Sequence, residues 1–133
     1  MAMQTLWLLT SARRTAYKTS MHRVFDMAVA DVYPHYINKV VKKGRTEAEL
    51  EEVTKWLTGF DGPAVKKMLD AKTTFREFFA KAKLNPNAEL ISGSICGVKI
   101  QEIDDPLMKK IRYWDKVVDE LAKGRPLEKI FRS

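Results

Sequence analysis

The chain is poor in the features from which a function is most often inferred. Its 133 residues include one cysteine, Cys96, so no disulfide can form within the chain, and a reducing location is favoured. No apolar run approaches the ~20 residues that a membrane-spanning helix needs; the longest, Leu6 to Leu9, is very short. We therefore expect a cytoplasmic protein with no membrane partner.

Residues for metal or cofactor chemistry are scarce as well. His22 and His35 are the only histidines, and neither has a ligand partner at the helical spacing that zinc sites use. Cys96 is more simply a small buried thiol than a nucleophile, because a reactive thiol needs a histidine or another cation close in space. The glycines near Cys96 lack the spacing of a phosphate loop. We expect no metal, no cofactor and no catalytic residues.

Acidic residues are missing from the first twenty positions. This stretch contains Arg13, Arg14 and Lys18, which carry three of the seven net positive charges of the whole chain. It shows no helical or strand periodicity, and Met21 follows it directly. We interpret residues 1–20 as a flexible leader outside the core, either an extension or a start-site artefact, with a transit peptide as a minor alternative, and residues 21–133 as a single globular domain.

The remaining composition, with 45% hydrophobic and 31% charged residues, is typical of a folded domain. Its strongest signal is the stretch from Asp104 to Gly124. Asp105 can cap a helix, Pro106 fits the first turn, and Gly124 can end it. The apolar positions alternate at spacings of four and three, which places them on one face: Leu107, Ile111, Trp114, Val118 and Leu121.

Shorter helices are predicted on both sides of this one. Asp31 is a candidate cap for a helix running to about Lys43, and two capping boxes, Thr46 with Glu49 and Thr74 with Glu77, mark further starts. Short β-branched segments on either side of Gly97, between Leu90 and Ile103, favour a hairpin. We predict a mainly α fold, a single compact domain of about five or six helices with one short β-hairpin packed against the long penultimate helix.

Several segments together resemble a bacterial family of small uncharacterised proteins, domain of unknown function 2200. The segments are VYPHY at Val32–Tyr36, KKGRT at Lys42–Thr46, WLTGF at Trp56–Phe60, ICGVKIQEIDDPLM at Ile95–Met108 and IRYWDKVVDELAKG at Ile111–Gly124. They cover Met21 to the C-terminus in order. The resemblance implies a stand-alone, single-domain, cytoplasmic protein and brings no activity or catalytic residues.

The aromatic residues and the charges beside them are the best candidates for function, because tyrosine and tryptophan can line a pocket or an interface as well as a core. The candidate ligand or interface residues are Tyr33, His35, Trp56, Arg112, Tyr113 and Asp115. Our leading hypothesis is a non-enzymatic binding or interaction module that self-associates through an aromatic helical surface. The alternative is a small enzyme or ligand-binding protein with a pocket near Tyr33, His35, Arg112 and Asp115.

A third hypothesis, weak nucleic-acid binding, depends on charge. Two basic groups could make one phosphate-binding surface if the helix ends that carry them meet in space: Lys39, Lys42, Lys43 and Arg45 form the first, and Lys123, Arg125, Lys129 and Arg132 the second. Lysines at helix C-termini also complement the helix dipole and need no ligand. Nucleic acid is therefore the least favoured of the three partners.

Overall fold

The computed structural model describes residues 23–95 and 97–132. The predictions made above for the leader, His22 and Cys96 lie outside these residues. Six helices are bounded in the described chain: α1 (Tyr33–Lys42), α2 (Glu47–Thr58), α3 (Gly62–Asp70), α4 (Phe75–Lys81), α5 (Pro106–Ala122) and α6 (Leu127–Ile130). Residues 23–25 are also helical. The predicted mainly α domain with a hairpin beside the long helix is confirmed.

Local capping signals account for most helix boundaries. At the start of α2, the Thr46 hydroxyl accepts from the Glu49 N–H at 3.1 Å, and the Glu49 carboxylate accepts from the Thr46 N–H at 3.0 Å. Thr74 and Glu77 repeat this arrangement at α4. Such caps replace partners that first-turn N–H groups otherwise lack. Asp105 does the same for α5 by accepting from two backbone N–H groups.

Asp31 does not cap α1. It lies in a 3₁₀ turn, Val29–Asp31, and the cap position belongs to Val32, which makes no side-chain capping bond. The prediction was wrong because tertiary contacts, which local spacing does not reveal, set this boundary. The Val29 N–H donates to the Thr73 carbonyl at 2.8 Å, and this bond ties the turn to the chain between α3 and α4.

The hairpin is shorter than its sequence pattern suggested. Strands β1 (Ser94–Ile95) and β2 (Val98–Lys99) pair antiparallel with Ile95 opposite Val98. Two further 3₁₀ turns, Pro86–Leu90 and Ile100–Glu102, take up the rest of the predicted β segment. The flanking isoleucines are still buried, so the apolar pattern correctly predicted which side chains are buried. β1 packs on α5, which supplies the surface that an isolated hairpin lacks.

Trp114 of α5 is the centre of the core. Its side chain is fully buried and stacks on Phe78, with ring centroids 5.0 Å apart and planes 6° apart. Tyr36 of α1 meets the same ring edge-on at 5.0 Å. The indole N–H donates to the Thr54 hydroxyl of α2 at 3.1 Å, so the polar atom that Trp114 brings into the core has a partner.

A buried ion pair holds the C-terminal residues on α5. The Glu120 carboxylate accepts from two nitrogens of Arg132, at 2.6 and 2.7 Å, and from Arg125 at 3.3 Å. The ring of Phe131 stacks on Trp56 of α2, with centroids 5.9 Å apart. α6 is too short to be stable alone, so these contacts and the burial of Ile130 fix its position.

Candidate functional site

The border between α1 and α5 forms a hydrogen-bonded cluster. The Tyr36 hydroxyl donates to Oδ1 of Asp115, and Nη1 of Arg112 donates to Oδ2 at 2.9 Å. The side chains of Asp115 and Arg112 are each 19% exposed. Burial raises the pKa of Asp115, and the Tyr36 hydrogen bond and the Arg112 charge oppose that rise. The tyrosine that reaches Asp115 is thus Tyr36, not Tyr33.

The next turn of α5 makes a different contact with α1. Asp119 lies 3.1 Å from the Lys39 amine and 3.0 Å from the Lys123 amine. Burial works against the ionised carboxylate, but hydrogen bonds from the two lysines outweigh it and lower the pKa of Asp119. In both clusters a carboxylate of α5 pairs with a side chain of α1, so a structural role in joining the two helices is enough to explain them.

The other predicted site residues lie apart from this border. His35 is exposed on α1, whereas Trp56 is half-buried against Phe131. Tyr113 is buried at a cavity of about 350 Å³ that Ile91, Ile100 and Lys110 also line. Burial, and then the charge of Glu89, raises the pKa of Tyr113. A ligand role for these residues stays a prediction.

A larger cavity, of about 730 Å³, opens between α1, α2, α3 and the 3₁₀ turn Val29–Asp31. We call it the Tyr33 groove. Its volume falls within the range of small-molecule sites. Its lining residues are Ala30, Tyr33, Pro34, Ile37, Glu47, Glu51, Gly62, Pro63, Val65, Lys66, Leu69 and Asp70. His35, Arg112 and Asp115 are not among them, so the predicted four-residue pocket does not form: Tyr33 lines the groove, Arg112 and Asp115 lie at the α1–α5 border, and His35 is exposed apart from both.

Tyr33 joins the groove to the core. Its ring packs near Trp114 and Tyr36, at centroid distances of 6.0 and 6.5 Å, and its side chain is only 4% exposed. Its hydroxyl has no hydrogen-bond partner among residues 23–95 and 97–132. Burial, and then the charges of Glu51 and Glu47, raises the pKa of Tyr33 to about 12. Tyr33 therefore shares the groove with two carboxylates, those of Glu47 and Glu51.

The position of Glu51 depends on a glycine in α3. A Cβ atom at Gly62 would come within 2.5 Å of the Glu51 carboxylate, closer than such atoms approach. Gly62 is also the first residue of α3, where the helix dipole favours a negative charge. The glycine thus leaves room for a carboxylate between α2 and α3, beside Tyr33.

The way α3 is held explains why the groove is open. α3 packs chiefly on the 3₁₀ turn, and Asp61 caps it by accepting from the Ala64 N–H at 3.0 Å. Of its residues only Val65 is fully buried. Because α3 packs on the turn and does not cover α1 and α2, a channel with an apolar floor remains between the helices.

Sequence reasoning missed the acidic side of this groove. Glu47 and Glu51 are four residues apart and so share one face of α2, which was the available signal. Like charges at that spacing weaken a helix slightly. Tertiary packing decides which face of α2 is turned towards Tyr33, however, so the spacing of the two glutamates could not show that they line a groove with Tyr33.

The two basic groups do come together. Nη1 of Arg45, just after α1, donates to the carbonyl oxygens of Arg125 at 2.9 Å and Leu121 at 3.3 Å. The C-terminal ends of α1 and α5 therefore meet, as a shared phosphate surface would require. Asp119 and Glu120 lie within the same region and pair with four of its basic side chains. These two carboxylates therefore neutralise much of the positive charge at the junction.

Neither metal-binding geometry nor a membrane span is found in the described part of the chain. Within residues 23–95 and 97–132, no three His, Cys, Asp or Glu side chains converge in a way that could hold a metal ion. Over the same residues, no helix has both the length and the apolar character needed to cross a membrane.

The fold defines a small, mainly helical domain. The chain belongs to the family described as an uncharacterized protein conserved in bacteria (DUF2200), whose pattern matches residues 23–132, and the resemblance noted from the sequence is confirmed. The crystal structure of uncharacterized protein SP1917 is similar at 43% sequence identity and a TM-score of 0.76, over 81% of this chain and 89% of that one. No curated protein matches the chain.

Proposed function

We propose that the domain is a non-enzymatic binding module and that its binding site is the Tyr33 groove. One observation carries the proposal: Tyr33, a residue only 4% exposed, lines a cavity of about 730 Å³, and its hydroxyl makes no hydrogen bond within the described residues. A tyrosine hydroxyl can both donate and accept a hydrogen bond. A ligand in the groove could therefore bond to it.

The lining of the groove supports the same proposal. Ligand sites combine an apolar floor with a few polar groups that fix orientation. Here Ile37, Val65 and Leu69 supply the apolar floor, and Tyr33 with Glu51 supplies the polar groups. The smaller Tyr113 cavity has less than half the volume.

A fragment screen by NMR tests the proposal. The ¹⁵N-labelled full chain would be titrated with a library that contains neutral, anionic and cationic fragments in equal numbers. We expect the largest amide shifts at Val65, Lys66 and Leu69. Hits that shift only residues around Tyr113, or no hits at any site, would contradict the proposal.

Self-association is the finer part of the sequence-based hypothesis, and it stays a prediction. The aromatic residues expected to form the interface are engaged elsewhere: Tyr33 and Tyr113 are buried, and Trp56 stacks on Phe131. Val41 and Leu90, by contrast, are more than half exposed. Light scattering across a dilution series would show a mass above that of one chain if self-association occurs, and the monomer mass throughout if it does not.

The junction of the basic helix ends supports a second candidate, weak nucleic-acid binding. Lys42, Lys43 and Lys129 are exposed there and make no ion pair within the described residues. Binding through phosphates weakens steeply with added salt, so a gel shift that is lost as salt rises would support this candidate. No shift at low salt would remove it. A cytoplasmic location, supported by the single cysteine, is common to both candidates.

A further inference from the structure

The charges on the wall of the Tyr33 groove differ from those of the whole chain. The chain carries a net charge of +7, yet three carboxylates, those of Glu47, Glu51 and Asp70, line the groove against one amine, that of Lys66. A local excess of negative charge in a basic protein repels anions and attracts cations at this site only.

Helix stability explains only part of this arrangement. Glu47 is in the first turn of α2, where an acidic residue complements the helix dipole. Glu51 lies one turn further on, and the charge of Glu47 at the fourth position before it is mildly unfavourable. Glu51 also occupies the space that the missing side chain of Gly62 leaves. The carboxylate thus lies between α2 and α3, in the groove that Tyr33 also lines.

Tyr33 gives an independent indication of a ligand. Its side chain is buried and its hydroxyl lacks a partner among residues 23–95 and 97–132. A phenol oxygen accepts hydrogen bonds from N–H donors. Ligand N–H groups in the groove could bond to this oxygen and to the Glu51 carboxylate, which line the same cavity, and a positive charge on the ligand would add charge assistance at the carboxylate.

We propose that the Tyr33 groove binds an organic cation, an alkylammonium or alkylguanidinium group, with its charged end at Glu51 and Tyr33 and its hydrocarbon part on the apolar floor. The proposal rests on the function proposed above and specifies the ligand class. Ile37, Val65 and Leu69 provide the surface for the hydrocarbon part, and burial of each methylene contributes to binding. Neutral and anionic groups of the same shape lack the attraction to the carboxylates.

The test compares probes of one shape that differ in charge. Butylguanidinium is the cation, butylurea its neutral isostere, and pentanoate the anion; Mg²⁺ is a fourth, inorganic probe. Each is titrated into the full chain, with affinity read from amide shifts of the groove residues. We expect butylguanidinium to bind with a Kd of about 1 mM, and butylurea to bind at least about tenfold more weakly, because hydrogen bonds to charged groups are the stronger ones.

Matched variants of α2 locate the charge. Glu51→Gln removes the groove carboxylate and should weaken butylguanidinium binding about tenfold. Glu52→Gln makes the same change in net charge at the next residue, which is exposed and does not line the groove. It should change affinity by less than about twofold, because salt screens an exposed charge. Tyr33→Phe keeps the ring and should also weaken binding.

The outcomes separate this proposal from the function on which it rests. Equal or tighter binding of butylurea or pentanoate in the groove would overturn the cation assignment and leave the binding module standing. The cation assignment would also be overturned if Glu51→Gln bound butylguanidinium as well as Glu52→Gln does. The same holds if Mg²⁺ shifted the groove residues at a lower concentration than butylguanidinium. If no probe shifts the groove residues, the cation assignment is wrong, and the fragment screen described above decides whether the groove is a binding site at all.

Discussion

The ion pair between Glu120 and Arg132 gives the sharpest test of how the fold is held together. The Glu120 side chain is 7% exposed and that of Arg132 is 13% exposed, and the two side chains meet through two hydrogen bonds of 2.6 and 2.7 Å. Arg132→Met would leave a buried carboxylate with only Arg125, which is 45% exposed and 3.3 Å away.

The expected cost follows from this geometry. Removing one partner of a buried ion pair typically costs about 3–5 kcal/mol. Because Arg125 can compensate in part, we expect about 3 kcal/mol. A single domain has a free energy of unfolding of about 5–15 kcal/mol, so the loss is large. The Tm should fall by about 10 °C.

Urea and thermal unfolding followed by circular dichroism would measure the change. Lys129→Met is the matched control, since Lys129 is exposed on α6, shortly before Arg132 in the chain, and has no ion pair within the described residues. It should cost less than about 0.5 kcal/mol. The double variant Glu120→Leu with Arg132→Met should be more stable than Arg132→Met alone, because no unpaired charge stays buried. A single variant within about 0.5 kcal/mol of the parent, or a double variant less stable than the single, would refute the reasoning.

Three further predictions concern individual polar groups. Folding lowers the pKa of Asp119, so its contribution to stability is present above the unfolded pKa and is lost as pH falls through the folded pKa. Asp119→Asn should therefore cost about 1 kcal/mol at neutral pH and nearly nothing in acid. An equal cost at both pH values in urea unfolding would contradict this. Thr54→Val removes the acceptor for the Trp114 indole N–H and should cost about 1–3 kcal/mol, with no added cost in a Trp114→Phe background. Because Glu51 helps to raise the pKa of Tyr33 to about 12, Glu51→Gln should lower that pKa, as ¹³C NMR of the tyrosine ring carbons would show. An unchanged pKa would mean that the charge of Glu51 does not act on Tyr33.

Local sequence signals predicted most helix boundaries correctly. The Thr46–Glu49 and Thr74–Glu77 spacings mark caps whose partners lie three residues away, so no knowledge of the rest of the fold is needed. Asp31 had the right residue type for a cap and was nevertheless placed in a 3₁₀ turn. The bond from Val29 to Thr73, which spans more than forty residues, anchors that turn, and spacing within a segment does not reveal such a contact.

The candidate site shows the same division between local and long-range information. The sequence placed Asp115 and Arg112 beside the aromatic residues of α5, and in the structure Asp115 accepts from Tyr36 of α1 while Arg112 donates to Asp115. It could not tell which residue of α1 faces them, and Tyr36 does so while Tyr33 faces the groove. The groove itself depends on how α3 leans on the 3₁₀ turn, and the acidic wall of the groove depends on the rotation of α2.

The central claim is that the Tyr33 groove is the binding site and that it takes a cation. Intermolecular NOEs between butylguanidinium and the methyl-labelled full chain test it most directly, because they report contact within a few ångströms. We predict NOEs from the ligand methylenes to the methyl groups of Ile37, Val65 and Leu69. NOEs to Ile91 and Ile100 at the Tyr113 cavity instead, or no NOEs to the groove at saturating ligand, would contradict the claim.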